Sequence, residues 1–83
     1  MKIVVINNGF VFVCGEFSQS QHHATMTKAR CIRTWGTSNG LGQLAVGPTK
    51  DTVLDDQIPI VEVPQHQIVF TFDVADVWAK HLT

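Results

Sequence analysis

Few side chains in this sequence can do chemistry. There are four histidines and two cysteines. Zinc sites draw their ligands in short-spaced pairs such as C-x₂₋₄-C or H-x₃₋₅-H. His22, His23, His66, His81, Cys14 and Cys31 offer no such pair, and the adjacent His22 and His23 point to opposite faces of a strand. No metal site is expected. A nucleophilic cysteine needs a nearby cation or helix N-terminus to lower its pKa. Cys31 has Arg30 and Arg33 beside it, whereas Cys14 sits in an apolar run. Both read as reduced, packed thiols. Asp51, Asp55, Asp56, Glu62, Asp73 and Asp76 form no recognisable hydrolase pair and read as solvated or capping groups. Neither a catalytic residue nor a cofactor is expected.

The unusual stretch is Ala29 to Pro48, which carries four of the six glycines. Glycine-rich loops bind phosphate by exposing backbone N–H groups. The candidate ligand-binding residues are therefore Arg30, Arg33, Trp35, Gly36, Thr37, Ser38, Gly40 and Gly42. The stretch lacks the G-K-[ST] of a P-loop and the G-x-G-x-x-G of a dinucleotide site. A tight connection with positive φ is the competing reading. Lys28 to Trp35 is ambiguous. A helical turn would put Arg30 and Arg33 at i, i+3 on one face, able to clamp one anion. A strand would send them to opposite faces.

The elements that must position this stretch are mostly β. Lys2 to Ile6 is β-branched and short, a strand. Asn7-Asn8-Gly9 signals a hairpin turn. Phe10 to Phe17 reads as a second strand, apolar on both faces, which places it centrally or beneath a partner subunit. Ser18 to Gln21 reads as a loop and His22 to Thr27 as a strand. One short helical turn fits Gly42 to Val46, stopped by Gly47-Pro48. Thr52 to Leu54 is a short strand. Ile60 to Val63, between Pro59 and Pro64, is an edge strand. Gln67 to Asp73 alternates, with Ile68, Phe70 and Phe72 facing a core. A closing helix is expected, with Asp73 as its cap and Val74, Val77, Trp78 and Leu82 as its apolar stripe.

The expected fold is mainly β: a small twisted sheet rolled into a barrel or sandwich, with a short C-terminal helix, in a single domain over residues 1–83. At 83 residues the core is small and assembly would help stabilise it. Charged residues make up only 16%. That leaves neutral surface for a partner, and a homo-oligomer is expected. The net charge of −1 argues against general nucleic-acid binding, which needs a basic footprint. No apolar run reaches membrane-spanning length, and the first apolar run is too short for a signal peptide. A cytoplasmic location is expected.

Several short motifs together carry a resemblance. Gly-Phe-Val-Phe-Val at Gly9–Val13 follows the first strand. Then come Ala29-Arg30, Ile32-Arg33, Trp35-Gly36-Thr37, Gly40-Leu41-Gly42, Leu44-Ala45, Gly47-Pro48-Thr49 and Thr52-Val53-Leu54-Asp55. The pattern resembles a family of small uncharacterised proteins encoded in tailed-phage and prophage genomes, and spans roughly Gly9 to Phe72. His22-His23 and Trp78 lie outside it. The resemblance implies a phage-encoded protein made in the host cytoplasm, and it carries no catalytic residue across. The leading expectation is a non-enzymatic phage accessory protein that binds a host or phage protein. The alternatives are an oligomeric binder of a small anionic ligand such as a nucleotide, and a minor structural component of a virion.

Overall fold

In the computed structural model, which describes residues 1–82, the β-branched N-terminal run forms strand β1 (Lys2–Ile6). Gly9, at a φ of 85° that favours glycine, returns the chain with its N–H on the Ile6 carbonyl at 2.9 Å. β2 (Val11–Cys14) then pairs antiparallel with β1, the hairpin that Asn7-Asn8-Gly9 predicts. β3 (Glu16–Gln19) follows, then the long β4 (His23–Thr34). The 3₁₀ helix η1 (Leu41–Val46) comes next, then β5 (Val53–Leu54), β6 (Ile58–Pro64) and η2 (Gln65–Gln67). β7 (Ile68–Asp73) and η3 (Asp76–His81) close the chain. The protein is mainly β, a seven-stranded antiparallel sheet curled into a half-barrel.

β4 is the spine. One side pairs with β2 and then β3, the other with β5 and then β6. The curl has a local cause. Lys28 has a φ of 52°, uncommon for a residue with a side chain. Ahead of it the even residues Ala24 and Met26 face the interior; after it the odd residue Ala29 does. Directly across, Gly15 interrupts the strand between β2 and β3 and donates its N–H to the Thr27 carbonyl at 2.9 Å. A Cβ on Gly15 would lie 3.3 Å from that of Lys28, so this crossing favours glycine.

Two cores result. Val4, Ile6, Cys14, Met26 and Ala29 fill the inside of the curl. Ile3, Val11, Val13 and Ile32 form the opposite face, which Leu44 of η1 and Trp78 and Leu82 at the C-terminal end cover. Trp78 is fully buried and donates its Nε1–H to the Leu44 carbonyl at 2.8 Å, satisfying its one polar atom. β2 is thus buried on both faces within one chain, so its two apolar faces do not by themselves require a partner subunit.

The structure decides one open reading and corrects several expectations. Lys28 to Thr34 is strand, so Arg30 and Arg33 do not share a helical face. The second strand is broken at Gly15, and Ser18 and Gln19 belong to β3 rather than a loop. Ile68, Phe70 and Phe72 do not share one face: the register shift at Val5/Ile6 turns Ile68 to the inner core while Phe72 packs on the opposite one, and Phe70, beside Phe72, is 49% exposed because the helices that cover that face stop short of it. The closing helix is a 3₁₀ helix that begins at Asp76 with no side-chain cap. Asp73 stays in β7, where Lys2 Nζ, 2.6 Å away, holds its carboxyl below the usual range; Val77 is exposed.

Candidate functional site

The predicted site residues fall on the C-terminal half of β4 and the loop after it. Arg30 lies on the face of Val13, its register partner. It is partly buried and already engaged. Its Nε–H donates to the Asp55 carbonyl at 2.7 Å and an Nη1–H to the His81 carbonyl at 3.2 Å. A cation at the end of η3 is well placed for the helix carbonyls. Arg30 thereby ties β4, the stretch after β5 and η3 together. Arg33 is exposed and pairs with the Asp55 carboxylate at 2.7 Å. Asp55 therefore meets both arginines, one through its backbone and one through its side chain.

The glycine-rich loop closes on itself through side chains that sequence reasoning passed over. Thr49 donates its hydroxyl to the Gly36 carbonyl at 2.6 Å, and Thr52 donates to the Trp35 carbonyl at 2.7 Å. Gly36 packs so tightly that a Cβ there would lie 2.3 Å from the Asp51 carbonyl carbon. The Gln43 side-chain oxygen accepts the N–H groups of Ser38 at 3.1 Å and Asn39 at 2.8 Å, and contacts the Ser38 hydroxyl at 3.4 Å. Two of the loop amides, those of Ser38 and Asn39, thus already meet the Gln43 oxygen. Thr37 is half-buried; Gly40 and Gly42 have nothing within 4 Å of where a Cβ would stand. Gly40 takes a φ of 94° to start η1 and accepts the Gln43 N–H.

At the C-terminal end of β4 is a cleft of about 320 Å³ lined by Phe10, Cys31, Arg33 and Asp55. Phe10 is 57% exposed, and Trp35, just past the end of β4, is 41% exposed. Val53, paired with Thr34, adds exposed apolar surface. The Cys31 thiol is pushed up, first by burial and then by the charge of Asp55; the Arg33 guanidinium pulls the other way and more weakly. Cys14 is pushed up by burial. These thiols keep their protons at neutral pH, the reverse of an activated nucleophile. Among the described residues no three His, Cys, Asp or Glu side chains converge as metal ligands. No described helix is long and apolar enough to cross a membrane.

The structure brings Arg33 together with Phe10, Cys31 and Asp55, and sets Arg30 apart on the other face. Phe10 lay within the recognised Gly-Phe-Val-Phe-Val stretch, but only its exposure marks it as a surface residue. Asp55 reads in the sequence only as one of several solvated or capping carboxylates, and nothing local marks Gln43 as the loop's acceptor. No family model matches the chain, and no curated protein or solved structure is significantly similar to it.

Proposed function

We propose that this is a non-enzymatic phage accessory protein that acts by binding a host or phage protein, through the surface around Phe10, Arg33 and Trp35. The observation that carries the reading is the pairing of exposed aromatics with spent polar groups. Phe10 and Trp35 stand exposed, while the arginines and loop amides nearby already have partners within the chain. Aromatic residues and arginine are enriched in protein interfaces, and Trp and Arg among their hot spots. An anion site would instead hold its donors free and aimed at one point.

The test is capture from a lysate of phage-infected cells by the immobilised protein and by Phe10→Ser/Trp35→Ser. A stoichiometric partner retained by the wild type and lost by the folded variant is the expected result. Equal recovery by both would move the binding surface elsewhere. The second reading, a small anionic ligand such as a nucleotide, predicts a rise in melting temperature with a panel of nucleotides and phosphorylated metabolites. Arg33→Lys would weaken that rise by removing the planar fork.

A further inference from the structure

We propose that β7 is the docking edge for a second copy of this chain, added as an antiparallel strand about a two-fold axis. Among the described residues four strands pair along one edge only: β3, β5, β6 and β7. Three of these edges are blunted, β5 by its length of two residues. β3 is four residues long and carries Glu16, Ser18 and Gln19, while β6 carries Pro59, Pro64 and Glu62. Short length, proline and charge are the usual protection against strand addition. β7 has no proline, its one charge, Asp73, is paired with Lys2 of its own chain, and it exposes Val69 and Phe70.

The backbone phase shows which groups are free. Val74 donates its N–H to the Met1 carbonyl at 3.2 Å, in register with the Ile3–Phe72 and Val5–Phe70 pairs. Phe72 and Phe70 therefore turn their backbone groups toward β1, and Thr71 and Asp73 turn theirs outward. Among the described residues no hydrogen bond reaches the outward N–H or C=O of either. Ala75, next in that phase, gives its N–H to the Ala45 carbonyl at 2.7 Å, which ends the free edge. On the other side the register shift near Ile6 ends the regular ladder at Phe70.

This short edge complements itself. Setting Thr71 of one copy opposite Asp73 of the other satisfies all four free groups of each chain. Phe72 then meets its own copy at the axis, and Phe70 of each chain meets Val74 of the other. The aromatic contact extends the stacked Phe70–Phe72 pair, whose rings lie 6.2 Å apart. On the opposite face each Thr71 hydroxyl meets an Asp73 carboxylate, and no like charges oppose. Phe70, left half-exposed by its own chain, is covered. The contact uses neither Phe10 nor Trp35, so it stands or falls apart from the binding role above.

Sedimentation and light scattering from about 1 µM to about 1 mM span the range for an interface below standard size. The expected mass rises from 9.2 kDa toward twice that value. The Thr71 and Asp73 amides are expected to exchange with solvent more slowly as the dimer forms. Thr71→Pro removes an outward N–H and no bond to β1, and Phe70→Lys charges the rim. Both should remain at 9.2 kDa with unchanged near-ultraviolet circular dichroism. If Thr71→Pro fails to fold, Phe70→Lys and the exchange data decide. A monomer at every concentration, or a dimer that persists in the folded variants with those amides unprotected, would overturn the proposal. So would protection of those amides only in infected-cell lysate, which would assign the edge to a foreign strand.

Discussion

Trp78 is the largest fully buried side chain, and it joins η3 to η1 by both its ring and its Nε1–H. Removing the ring leaves a cavity. Trp78→Ala is expected to cost about 3–5 kcal/mol, enough to unfold a domain this small. Trp78→Phe separates the two contributions. It keeps much of the apolar volume but strands the Leu44 carbonyl, which costs about 1–3 kcal/mol. At roughly 4–8 °C per kcal/mol for a domain of this size, the loss is visible in a thermal melt. A Trp78→Phe midpoint equal to the parent's would mean that water replaces the indole at Leu44. The cysteines provide a second residue-scale test. Burial raises both thiols, so alkylation at neutral pH should be slower than for a free thiol and should accelerate only as pH rises. Cys31 is the less buried of the two and should react first. Fast labelling of either thiol at neutral pH would restore the nucleophile reading.

At the scale of elements, the glycine-rich loop predicts an order among three alanine substitutions. Gly36 combines a φ of 68° with a Cβ position 2.3 Å from the Asp51 backbone, which cannot swing away. Gly36→Ala should cost about 2–4 kcal/mol, the sum of left-handed strain and overpacking. Gly40 has a φ of 94° and a ψ of 179°, an extended positive-φ conformation essentially confined to glycine, in open space, so Gly40→Ala carries that strain alone, about 1–3 kcal/mol. Gly42 has neither, and Gly42→Ala should be close to neutral. Denaturant titrations that ranked Gly42 with Gly36 would contradict the loop geometry. Local signals made several elements legible in the sequence. Asn7-Asn8-Gly9 marked the first hairpin, Gly47-Pro48 the end of η1, and Pro59 and Pro64 an edge strand. The turn in β4 was not legible, because a positive φ at Lys28 has no signature in a lysine. Without it, the change from even to odd interior residues on β4 cannot be anticipated, and Lys28 to Trp35 stays ambiguous. Phe70 failed for a different reason. Alternation gives a face, but whether that face is covered depends on where η1 and η3 end.

At the scale of the molecule, the chain covers the second face of its own central strands with two short 3₁₀ helices and leaves three aromatics exposed: Phe70 at the β7 edge, Phe10 at the cleft with Arg33, and Trp35 just past the end of β4. Much of the recognised motif pattern becomes structural here. Trp35-Gly36, Thr49 and Thr52 hold one another through two carbonyls and two hydroxyls, which close the loop. The candidate site was legible as a segment and not as a set of contacts, since its partners Asp55, Thr49 and Gln43 arrive through folding. The binding claim is tested most directly by hydrogen exchange on the wild-type protein in complex with the partner it captures. Slowed exchange is expected at Gly9 to Phe12, at Cys31 to Thr37 and at Val53 to Asp55. Protection confined to Ser38 to Gln43, or none at all around Phe10 and Trp35, would contradict it.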